Sequence, residues 1–296
     1  MKKFLAILLI LCLTIPFCSA LALEPGDART VIGADNTLAD IESVYSTFGI
    51  ERGSVTELTI TNADERSYLE GQVDDSALGT RSISCVYIEI LPEGEGLEAE
   101  VHNVTVCTRE MYIGALTTAG ISDARITVVS PLDGVSGTAA LAGIFVAYED
   151  MSGESLDETA TDVAVEELTT TADLAEDLGS EQAAELVNEI KATLDELQDM
   201  SDEEVQENIT SIAAQFNITL SDKQMQMLLD LVRSLEKLDV DKLVEKAKDL
   251  GDFFADAVDK AGDVIQKAEE SGFFDSLFAM LKDIFSAIVD FFRSLF

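Results

Sequence analysis

The sequence predicts an N-terminal domain of α+β or α/β class, with a mixed sheet of about five strands and helices, followed by an all-α acidic helical domain. Three observations predict it. Before residue 150, short runs rich in Val, Ile and Thr alternate with helical patterns. After residue 150 the apolar residues recur at helical spacing alone. Residues 150–200 carry sixteen Asp and Glu against one base, Lys191. The resulting division is a signal peptide at 1–22, an α/β domain at 23–150, an acidic linker or weak helix at 151–179, and a helical domain at 180–296.

The leader comes first. Met1-Lys2-Lys3 supplies the positive start, Phe4 to Phe17 the apolar run, and Ala20-x-Ala22 the small-residue cleavage pattern. The run is short for a membrane span, which needs ~20 apolar residues. Secretion, to the medium or the cell surface, is the expected location.

In the head, Arg29 to Ala34 reads as a strand and Thr37 to Phe48 as a helix stopped by Gly49. Val55 to Thr61 alternates as a half-buried strand, and Ala63 to Glu70 reads as a helix with Asn62 as its cap. Ser82 to Leu91 is a strand broken by Pro92-Glu93-Gly94-Glu95-Gly96, and Val101 to Cys107 is another. Arg109 to Ala119 is a helix, Ala124 to Ser130 a strand, and Thr138 to Tyr148 an apolar helix. The order is βαβα, a central strand, then βαβα. Phe48-Gly49-Ile50 and Ala119-Gly120-Ile121 echo each other, either as the trace of a duplicated unit or as repeated use of Gly to end a helix.

In the tail, Ser180 opens a helix whose stripe is Val187, Ile190, Leu194 and Leu197. Ser201-x-x-Glu204 and Ser221-x-x-Gln224 are capping boxes before two further amphipathic helices. A fourth runs from Asp241 to about Glu270, giving a bundle or helical hairpins. The last helix, Phe273 to Phe296, carries a wide Phe-rich stripe; it docks on the bundle, self-associates or touches a membrane surface.

Cys85 and Cys107 are the two cysteines outside the leader, and an even count in an exported chain predicts a disulfide. Antiparallel pairing of the strands with Cys85 opposite Cys107 would place Val86 by Val106 and Ile88 by Val104, aligning both apolar faces.

The head resembles the YpuA-like family of secreted bacterial proteins, a domain of unknown function. The likeness lies in Pro25-Gly26-Asp27-Ala28-Arg29-Thr30-Val31-Ile32-Gly33-Ala34-Asp35, in Gly79-Thr80-Arg81-Ser82-Ile83-Ser84-Cys85-Val86-Tyr87-Ile88 and in Gly134-Val135-Ser136-Gly137-Thr138-Ala139-Ala140-Leu141. The stretch Leu220 to Asp241 is similar as well. The resemblance implies export and a role at the cell envelope, and it brings no assigned activity.

The formal net charge of −38 excludes nucleic acid as a favoured partner, because phosphate needs Lys and Arg to displace its counterions. One histidine, His102, rules out a multi-histidine zinc site and leaves a single candidate base for any Ser-His-Asp triad. No metal site or cofactor is expected. Gly134, Ser136, Gly137 and Thr138 open a helix whose exposed N–H groups are a candidate anion site. Asn103, Asn208 and Asn217 head N-x-[ST] sequons. These features favour a non-enzymatic binding or structural component of the cell envelope, with an envelope partner still unidentified. Two alternatives stand beside it: an envelope hydrolase using paired carboxylates, and an extracellular protein that binds divalent cations.

Overall fold

A computed structural model of the chain describes residues 23–73 and 78–251. The leader expected at 1–22 and the helix expected at Phe273 to Phe296 lie outside the described residues. The head is the expected mixed sheet of five strands with helices. Its strands are β1 (Ala28–Gly33), β2 (Thr56–Ile60), β3 (Cys85–Ile90), β4 (Leu97–His102) and β5 (Ala124–Val129). Their order is β2-β1-β3-β5-β4. β3 runs antiparallel to both neighbours, while β1 and β2, like β4 and β5, pair in parallel.

Period-two alternation sorts the sheet into two faces. Val31, Val86, Ile88, Ile126 and Val128 point to one face and meet α2 (Asn62–Leu69), α3 (Arg109–Thr118) and α4 (Thr138–Ser152). Ile32, Cys85 and Val129 point to the other and meet α1 (Leu38–Phe48) through Ile41, Val44, Tyr45 and Phe48. The caps are local. Thr37 closes a capping box with Asp40 for α1, and Thr61 does so with Asp64 for α2, one residue before the Asn62 expected.

The steps β1-α1-β2 and β4-α3-β5 cross the sheet in the same direction between strands of the same sense. Yet α1 and α3 sit on opposite faces. One crossover is therefore left-handed, against the general rule for such units. Two units of opposite hand are not copies of each other, so the echo around Gly49 and Gly120 reflects only a shared way of ending a helix. Both glycines hold positive φ, at 70° and 83°.

The expected disulfide is corrected here. Cys85 and Cys107 are both free and buried. β3 pairs with β1 and β5, and β4 runs parallel to β5 on the far edge, so the presumed β3–β4 ladder does not exist. The second strand also ends at His102, where Asn103 takes φ 57° and turns the chain out of the sheet. Cys85 belongs to the core under α1 and Cys107 to the core under α3 and α4. The sheet itself separates the two sulfurs.

The segment at 151–179 is neither loose nor peripheral. It forms α5 (Glu158–Leu178), 21 residues long, capped by Asp157. Ala164, Val165, Leu168 and Ala172 enter the head core. Val163 and Leu174 enter a second core built from α6 (Ser180–Ala192), α7 (Leu194–Leu197), α8 (Asp202–Gln215), α9 (Asp222–Leu235) and the helical residues 240–251. Ser201 and Ser221 cap α8 and α9 with the capping boxes expected of them.

Candidate functional site

The acidic face of α5 that looks away from the cores forms the floor of a cleft of about 420 Å³. Thr159, Asp162, Glu166 and Thr169 follow one another at three- and four-residue steps and so share that face. One wall is the turn just past α2, with Gly71 and Gln72. The other is the end of α9, with Ser234 and Lys237. The site is thus assembled from the head and the helical region together, on the helix that belongs to both.

Its polar groups are tied in two sets. The Gln72 amide donates to Asp162 Oδ1 at 3.1 Å. The Lys237 ammonium reaches the Ser234 hydroxyl at 3.5 Å. Burial pushes the Glu166 carboxyl above its ordinary range; Ser234 and Lys237 oppose this, and nearby Asp230 adds to it. Ser234 is 8% exposed, whereas Asp162 and Lys237 are open to solvent. A second depression of about 430 Å³ lies between α8 and α9; it is lined by Glu203, Glu207 and Asp222 with no base opposite.

The residues singled out from sequence lie elsewhere. Gly137 does start α4, with φ 97° and no side-chain cap. A Cβ there would lie 2.7 Å from the Tyr112 hydroxyl, which donates to the Gly137 carbonyl at 2.6 Å. Gly137 and Thr138 are buried, and the Ser136 and Thr138 hydroxyls lie 3.2 Å apart; Gly134 is exposed. Protein atoms thus occupy the space directly over Gly137, at the start of α4. Asn103 follows β4 and gives its amide to the Ser130 carbonyl at 3.1 Å. Asn208 lies on α8 and bonds the Glu204 carbonyl, and Asn217 is exposed just past α8 with φ 58°. His102 is on β4, the edge strand, with Glu100 Oε2 3.5 Å from Nε2, and it is not part of the cleft.

Both thiols are sealed. Burial raises the Cys85 thiol to about 11 and the Cys107 thiol to about 12. Among the described residues, no group of three or more His, Cys, Asp or Glu is placed to hold a metal ion. No helix among them is long and apolar enough to cross a membrane.

The cleft was invisible in the sequence for a definite reason. An acidic run such as 151–179 reads as linker or weak helix, which gives the spacing of Asp162 and Glu166 no face to lie on. Their i, i+4 relation was the available signal.

Comparison with known proteins gives kinship without activity. A family model described as a protein of unknown function (DUF1002) matches residues 32–251. The uncharacterized protein YpuA of Bacillus subtilis (strain 168) is 33% identical over 289 residues, covering 96% of this chain and 96% of the relative. No solved structure matches the chain.

Proposed function

The chain belongs to the DUF1002 family of proteins of unknown function, and from that premise we propose that it is a non-catalytic ligand-binding component of the cell envelope, exported and active outside the cytoplasm. The observation that carries the reading is the cleft on α5, where opposed charges and hydroxyls converge with no histidine or cysteine among them. Export rests on the leader pattern at Met1 to Ala22.

Co-sedimentation of the mature chain, residues 23–296, with purified insoluble cell-wall material tests it. The protein is expected in the pellet, with no soluble wall fragments released. A protein that stays in the supernatant overturns the reading. Release of sugar or peptide fragments also overturns it, in favour of hydrolysis by a carboxylate pair such as Asp162 and Glu166.

A further inference from the structure

We propose that the α5 cleft recognises a small zwitterion, a free amino acid or the like, with its ammonium group held on the Asp162 and Glu166 side and its carboxylate by Lys237. The inference rests on the cleft being the binding site of the function proposed above, and it names the chemistry that site would take.

Charge distribution leads to it. Asp162 and Glu166 are one helical turn apart on α5, so their carboxylates border the same volume. A cation is therefore favoured along the floor. A plain ammonium ion would leave Lys237 as a like charge in the same cleft, about 420 Å³ in volume. A ligand carrying a carboxylate next to its ammonium answers both charges at once.

The hydroxyl chemistry agrees. Ser234, nearly buried, lines the cleft together with Glu166 and accepts from the Lys237 ammonium. Its bond holds the Lys237 ammonium in place. The Gln72 amide does the same for Asp162. Partial burial strengthens the charge interactions at Glu166 relative to those on open surface.

Two-dimensional amide NMR of the mature chain, titrated at low ionic strength with glycine, methylammonium and acetate, tests the inference. Glycine is expected to shift the amides of Gln72, Glu166, Thr169 and Ser234 and to bind at least about tenfold tighter than either half-ligand, a difference of ~1.4 kcal/mol. Lys237→Gln is expected to bring glycine down to the level of methylammonium; Lys237 is exposed, so the substitution leaves the fold intact. Methylammonium binding as tightly as glycine overturns the zwitterion. Silence of those amides with all three probes overturns it too. In either case wall binding by the wild-type chain is measured separately, so the broader function stands or falls on its own result.

Discussion

The lysine at 191 and the glutamate at 167 show how one pair of residues sets the geometry of three helices. Lys191 is fully buried and Glu167 nearly so. The ammonium donates to Glu167 Oε1 at 2.7 Å, to the Gly114 carbonyl at 3.1 Å and to Thr118 Oγ1 at 3.2 Å. Thr118 in turn donates to Glu167 Oε2 at 2.5 Å. Every charge is answered, and α3, α5 and α6 are locked at that point. Glycine at 114 leaves room for this network, because a Cβ there would lie 2.7 Å from Glu167 Oε1 and push the carboxylate off its partners. Burying two ions carries a large desolvation cost, so the pair as a whole adds little net stability, while either ion alone is a heavy penalty. Lys191→Met is therefore expected to cost ~3–5 kcal/mol in urea unfolding, and Lys191→Met with Glu167→Leu to recover most of it. A single substitution costing under ~1 kcal/mol would sink this account. Lys191 is the lone base of the acidic stretch 150–200, and that isolation was the sequence's one sign that its partner is specific.

At the scale of elements, the sheet decides the state of the cysteines. Cys85 faces α1 and Cys107 lies on the opposite side, under α3 and α4. Burial holds both thiols protonated, near 11 and near 12. Iodoacetamide is expected to leave both unmodified in the native mature chain at neutral pH and to label two per chain after denaturation. Recovery of a chain with no alkylatable thiol after denaturation would disprove it. The raised values also tie stability to pH. The folded state keeps its thiol protons up to higher pH than the unfolded chain does. Their contribution is therefore complete below the ordinary thiol value of 9.0 and is lost as pH climbs from there towards 11 for Cys85 and 12 for Cys107. The strands themselves were legible: Val, Ile and Thr in alternation placed β1, β2, β3 and β5 within a few residues. Their neighbours were not. Face matching between Val86, Ile88 and the valines at 104 and 106 was satisfied on paper by antiparallel pairing. Alternation fixes which side a residue faces but not which strand lies beside it. The extended run also broke at Asn103, whose positive φ has no hydrophobic signature. The cleft was hidden for the related reason that an acidic helix reads as solvated until something is known to pack on it.

At the scale of the molecule, α5 makes two cores into one cooperative unit. It gives Ala164, Val165, Leu168 and Ala172 to the head and Val163 and Leu174 to the helical region, and the Glu167–Lys191 pair crosses the same boundary. Unfolding either core alone would strip an apolar face of α5 and strand one of two buried charges, so partial unfolding is costly on both counts. The chain offers a clean way to see this. It has no Trp, and all five Tyr, at 45, 68, 87, 112 and 148, lie in the head. Tyrosine emission therefore reports the head, while far-ultraviolet circular dichroism is dominated by helices, many of them beyond it. In urea the two signals of the mature chain are expected to change with one midpoint. Added salt is expected to raise that midpoint, because the large negative charge (−38 for the full chain, which includes two leader lysines) repels itself and the repulsion is screened within a Debye length of ~10 Å at 0.1 M. Two separated midpoints would mean that the head and helices fold independently. The α5 cleft would then join two bodies free to move, and its spacing of Gln72, Asp162, Glu166 and Lys237 would no longer be fixed well enough to select a ligand.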